Sequence, residues 1–246
     1  MKKLNFIKVP AFILLLAVGA CSKTNNDVVD TSVTTDDAAT IMASSMSSNS
    51  GGMVSASADV TVNAQLTFNA NPGCGGTKTY QFSRQSPQGA SISYSYAFSY
   101  THTLNCVNNL PDNVSSTATS TGSFDGPSLS SNDSGTSTFT VGGLASAATA
   151  YNLSGSYKRA GSFAKKTGNM NQGNSSVDIT VSSLVIPKAS GTIASGNATF
   201  NLSGSSNKGS FNFSGTVTFT GNNQANLVVN GTAYVVNLLN GNATRS

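Results

Sequence analysis

His102 is the sole histidine of the chain, so any imidazole chemistry must run through it. It stands in "YSYAFSYTHTLNC", on the side shared by Tyr94, Tyr96, Phe98, Tyr100, Leu104 and Cys106 when alternate residues are taken together. A general base needs a nucleophile within hydrogen-bond reach. Serines abound, but no G-x-S-x-G turn singles one out. A hydrolase using His102 is the weakest reading; a histidine packed or solvated near a strand end is the plainer one.

Two other stretches carry motif-like spacing. "SFAKKTG" holds both S-x-x-K (Ser162 to Lys165) and K-T-G (Lys166 to Gly168), the signatures of penicillin-recognising serine enzymes. In those enzymes the two motifs sit on separate elements and converge on one pocket, whereas here they abut in a single turn, so the match is rejected. "PGCGGTK" lacks the G-x-x-x-x-G-K-[ST] spacing and the following helix of a phosphate loop. With one His, scattered Asp, no C-x-x-C and no calcium-loop pattern, neither a metal nor a cofactor is expected.

Lys158, Arg159, Lys165 and Lys166 form the densest charge beyond the first residues, a candidate contact for an anionic headgroup or acidic glycan. The plainer reading is the solvated end of a hairpin. Nucleic acid is not an expected partner. Three of the lysines behind the formal +4 are Lys2, Lys3 and Lys8, and without them the balance is +1. Glu is absent, so solubility rests on Ser, Thr, Asn and Gly.

Those three lysines precede "FILLLAVGA", a short apolar run ending in small residues, which is the pattern of a secretory signal over 1–20. The run is too short for a membrane-spanning helix of about 20 apolar residues. Val18-Gly19-Ala20-Cys21 resembles the lipobox of bacterial lipoproteins, with Val in place of the commoner Leu. The resemblance covers the first 21 residues. It implies cleavage before Cys21, a thioether from Cys21 to diacylglycerol, and an acylated new amino terminus. Several acyl chains would hold the protein stably on its membrane. With Cys21 committed to lipid, Cys74 and Cys106 remain as a pair in an oxidising compartment, where a disulfide is the default.

Stepping outward from these residues, 21–57 is rich in Ser, Thr, Asn, Asp and Met and is expected to be a flexible tether. Within it, "TDDAATIMASSM" offers a cap at Thr35 or Asp36 and Ile41, Met42 and Met46 at helical spacing, predicting one short helix near 36–47. From Ala58 the period becomes two. "ADVTVNAQLTF" places Ala58, Val60, Val62, Ala64, Leu66 and Phe68 on one face, predicting a strand over 58–68. The Tyr94–Cys106 stretch and most segments after Tyr151 repeat the alternation, with weaker strands over 115–124 and 136–141. Asn207-Lys208-Gly209, Asn222-Asn223 and Asn230-Gly231 mark tight turns. "YNLSGSYKRAGSF" (151–163) echoes "FNLSGSSNKGSF" (200–211), which suggests a repeated hairpin, and Gly155, Gly204 and Gly215 suggest bulges or bends that curl the sheet.

The expected architecture is therefore one all-β domain over 58–246: an antiparallel, largely up-and-down meander of about ten strands, curled into a barrel, half-barrel or sandwich. Its general look resembles envelope lipoproteins of Gram-negative bacteria, a resemblance that implies no particular activity. The leading functional expectation is a non-enzymatic envelope lipoprotein whose β-domain binds or scaffolds an envelope protein, glycan or lipid. An alternative is a carrier of acyl chains or other apolar ligands in a half-barrel, resembling the lipoprotein-chaperone fold, with the short helix as a plug. Ser22 and Lys23 lack the Asp that marks inner-membrane retention, so the resemblance implies the outer membrane, with the domain facing the periplasm. A membrane-spanning barrel also alternates, but the anchor and the polar end "NGNATRS" count against it.

Overall fold

Three pairs of residues with small or amide side chains fold the chain back on itself. Asn108-Asn109, Asn222-Asn223 and Asn230-Gly231 all have positive φ, from 44° to 86°. Two successive left-handed residues make the turn whose twist matches that of paired strands. The structure, a computed structural model, describes residues 33–246. The signal segment, Cys21 and the start of the tether lie outside the described residues.

Eleven strands follow one another: β1 (Thr77–Gln85), β2 (Ser93–Val107), β3 (Leu110–Asp125), β4 (Leu129–Gly142), β5 (Ala150–Lys165), β6 (Gln172–Pro187), β7 (Ser195–Ser206), β8 (Gly209–Gly221), β9 (Gln224–Val229), β10 (Thr232–Asn237) and β11 (Ala243–Arg245). Each pairs antiparallel with the next, in sequence order, to give a single sheet. Period-two patterning explains why: Tyr96, Phe98, Tyr100 and Leu104 of β2 are buried, as are Val177, Ile179 and Val181 of β6, with more exposed residues between them. The sheet is not closed into a barrel, and β1 and β11 are its two edges. Being one sheet, it is not a sandwich.

Two helices fill the concave side. α1 (Thr35–Met46) touches β4, β9, β10 and β11, and α2 (Met53–Ala70) touches β1 to β5. Met42, Met46, Met53 and Val60 are fully buried in the same apolar core as both halves of the sheet. α1 begins at a capping box in which Thr34 accepts from the Asp37 amide and Asp37 accepts from the Thr34 amide. The cap is thus one residue earlier than the sequence suggests. None of these helices is long and apolar enough to cross a membrane.

This arrangement corrects three sequence expectations. Residues 33–57 are not a flexible tether: α1, the 3-10 turn Ser48–Ser50 and the start of α2 are mostly buried. Residues 58–68 are not a strand but the body of α2. Val60 and Ala64 satisfy both periods, and Met53, Ala56, Val60, Ala64 and Thr67 form the buried helical face. Val62 and Leu66, which an alternating strand would bury, are 57% and 51% exposed. Enclosure on several sides overrides the β propensity of Val and Thr.

The third correction concerns the echo. Residues 151–163 lie within β5, whereas 200–211 cross the β7–β8 turn, so the hairpin is not repeated. Gly155 does sit at a register shift in β5, at φ 142°, where a Cβ would lie 2.0 Å from the Thr138 carbonyl oxygen. Gly204 and Gly215 keep register; their missing side chains leave room for the Phe211 and Phe200 rings.

Candidate functional site

The chain has few charges, and three of its ion pairs gather where helices meet sheet. Arg159 of β5 is 6% exposed. Its Nη2 donates to Asp133 Oδ2 at 2.6 Å, to the Tyr96 hydroxyl at 2.6 Å and to Ser131 Oγ at 3.2 Å. Its Nη1 donates to the Ser50 carbonyl at 3.1 Å and the Ser44 carbonyl at 3.4 Å, at the end of α1 and in the following turn. Burial alone would disfavour the charge on Arg159, but Tyr96 and Asp133 beside it hold the guanidinium protonated. Burial pushes the Tyr96 hydroxyl well above its usual range.

Two further ion pairs join the layers. Lys165 bonds Asp37, both nearly buried; burial raises the Asp37 pKa, but Lys165 and the Thr34 amide outweigh it and leave the carboxyl lowered. Arg84 bonds Asp59 and donates to Ser55 Oγ at 2.9 Å, while Tyr100 donates to the other Asp59 oxygen at 3.1 Å. There desolvation wins, and the Asp59 carboxyl is raised despite Arg84.

The four basic residues singled out by sequence are therefore not one exposed cluster. Arg159 and Lys165 turn inward to their buried partners. Lys158 pairs with Asp178 at 2.6 Å and Lys166 with Asp125, both at the partly exposed surface. An anion or glycan would meet two lysines already engaged by carboxylates. Cys74 and Cys106 are disulfide-bonded with Cα atoms 5.5 Å apart, tying the α2–β1 connection to the end of β2. Among the described residues no three His, Cys or Asp side chains gather as a metal site.

His102 is fully buried between Tyr100, stacked at 6.1 Å, and Tyr80, edge-on at 5.5 Å. Neither ring nitrogen has a hydrogen-bond partner among the described residues. Ser116 stands opposite it on β3 and is also buried, but its Oγ makes no hydrogen bond to the ring. Burial lowers its pKa from 6.5 to about 4. The unfolded chain therefore takes up this proton at higher pH than the folded one. Stability from this residue is complete above about pH 6.5 and falls as pH drops towards 4, by up to about 3 kcal/mol. Urea unfolding of wild type and His102→Phe at both ends of that window checks this. The variant is expected to keep its fold and lose much of the acid sensitivity, because a matching apolar ring leaves no unsatisfied nitrogen. Equal acid sensitivity in both would contradict the assignment.

Where the sheet stays open, a cleft of about 390 Å³ runs between the β1–β2 side and the loops at the ends of β6, β8 and β10. Val54 and Ala58 of α2, Phe98 of β2, and Ile186, Ile193 and Leu239 supply apolar lining. Asn49, Arg84, Thr192 and Asn223 supply polar groups, and no carboxylate is among the lining residues. Sequence reading missed this site entirely. Its residues come from seven separated segments, and only the curl of the sheet brings them together. The one local signal is Arg84, a cation breaking the apolar alternation Tyr80, Phe82 at the end of β1. No family model, curated protein or solved structure matches the chain, so the site is read from its own chemistry.

Proposed function

We propose that this chain is a lipid-anchored protein of the bacterial cell envelope that acts by non-covalent binding, with the open-seam cleft as the ligand seat. The observation that carries the reading is the cleft itself. Its volume of about 390 Å³ falls in the range of small-molecule sites, and it has mostly apolar lining and a few placed polar groups. Met42, Met46, Met53 and Val60 of the two helices are buried in the interior, so a carrier role would work from the seam rather than from a hollow half-barrel. A catalytic reading has less support, since His102 is fully enclosed and neither ring nitrogen bonds a hydroxyl among the described residues.

The anchor rests on Val18-Gly19-Ala20-Cys21, and the outer membrane on the absence of Asp after Cys21. Cys21→Ser is expected to leave an uncleaved or soluble precursor, read by fractionation and intact mass; unmodified Cys21 in membrane-fraction protein sinks the anchor. For the binding role, native mass spectrometry of protein released gently from envelopes is expected to show a non-covalent added mass. That mass should be absent from a Leu239→Asp variant, whose new charge lies in the cleft. An added mass that persists in the variant places the ligand elsewhere.

A further inference from the structure

We infer that the cleft takes an anionic amphiphile, its charged head against Arg84 and its apolar chain laid along α2; this rests on the binding reading above. Among the described residues, Arg84 is the only charged one lining the cleft. It is anchored beneath by Ser55 and Asp59, with its guanidinium 5.1 Å from the Phe82 ring centre, yet its side chain stays 42% exposed. Asp59 is only 7% exposed and does not line the cleft. A ligand entering the cleft therefore meets the cation and not its counter-ion. A guanidinium so positioned can give its remaining N–H groups to a carboxylate, sulfate or phosphate oxygen.

The apolar part has its own support. Val54 and Ala58 line the cleft, and Val62 and Leu66 follow at the same four-residue spacing along α2. Each is the i+4 neighbour of the one before, so the four form a single ridge inclined across the helix surface. Val62 and Leu66 are 57% and 51% exposed. Single exposed apolar side chains are ordinary, but a row leading out of a cleft is a surface a flexible chain can cover. A compact ligand would leave that row in water. An extended alkyl chain would not.

The test uses calorimetry on the Cys21→Ser chain, so that no anchor lipid competes. Dodecanoate, dodecyl maltoside and dodecyltrimethylammonium are titrated below their micelle concentrations, with octanoate for comparison. Dodecanoate should bind one-to-one and at least about tenfold tighter than the cationic amphiphile. Octanoate should bind more weakly by up to about fourfold for each methylene that leaves apolar surface. Arg84→Gln should weaken dodecanoate about tenfold more than it weakens the maltoside. Because Arg84→Gln also strips Asp59 of its partner, Leu239→Asp serves as a second variant; Leu239 is 45% exposed, so folding tolerates it. It too should cost dodecanoate at least about tenfold. Equal binding of all three head groups, or dodecanoate binding indifferent to both variants, overturns the inference while leaving a cleft ligand found by native mass spectrometry standing. No binding by any of the three overturns it as well. An added native mass would then point to a ligand of another class.

Discussion

Arg159→Met is expected to destabilise the fold by about 3–5 kcal/mol, the cost of leaving a buried charge without its partner. Asp133 is 5% exposed and would face the interior uncompensated. The same change takes away the donor to the Tyr96 hydroxyl and to the Ser44 and Ser50 carbonyls, so the joint between α1, the 3-10 turn and β5 loosens at once. For a domain of this size each kcal/mol lowers the melting temperature by roughly 2–4 °C. Two controls separate this account from generic disruption. Lys158→Met, next to Arg159 on β5, removes an exposed pair with Asp178 of β6 and should cost under about 1 kcal/mol. Combining Arg159→Met with Asp133→Leu should recover much of the loss, since the stranded charge is gone. Urea titrations of the four proteins decide it; a loss below about 1 kcal/mol for Arg159→Met contradicts the joint.

Removing the disulfide is the other large effect. Cys74 and Cys106 are separated by 32 positions, and a closed loop of that size stabilises by about 3–4 kcal/mol in the chain-entropy account. The closure also holds the β1–β2 edge against α2. Just before β1, the Gly75 amide donates to the Leu104 carbonyl at 2.8 Å and the Leu104 amide to the Gly76 carbonyl at 3.0 Å, continuing the ladder to the bridge. Cys74→Ala with Cys106→Ala should therefore lower stability by that amount and speed proteolysis between Asn71 and Thr77. Non-reducing peptide maps of the exported protein should yield one linked Cys74–Cys106 peptide; full alkylation of both thiols without reduction contradicts the pairing.

The strands were legible in the sequence because a sheet with one face on a core writes its period directly into the chain, as in Tyr96, Phe98 and Tyr100 or Val177, Ile179 and Val181. The turns were legible for an equally local reason: Asn and Gly tolerate positive φ where other residues do not. α2 was not legible. Enclosed by the curled sheet, it buries Asp59 and Thr61 as well as Val60, so its polar and apolar residues do not sort by a single helical face. Asp59 is admitted to that interior by Arg84 and Tyr100, partners 25 and 41 positions away. Lys165 and Arg159 misled in the same way. Read as neighbours in a basic run, they are separate buried bolts whose acids, Asp37 and Asp133, lie on other elements. The cleft depends on curvature, and curvature has no local signature beyond isolated devices such as the Gly155 bulge.

The most direct test of the binding account is an amide chemical-shift map of the Cys21→Ser chain as dodecanoate is added. Shifts are predicted to move together at Asn49, Ala58, Arg84, Ile193, Asn223 and Leu239, residues distant in sequence that meet only around the cleft. They should extend along α2 to Val62 and Leu66 and vanish in Leu239→Asp. Shifts scattered over the outward faces of the strands, with the cleft residues unmoved, would contradict the account.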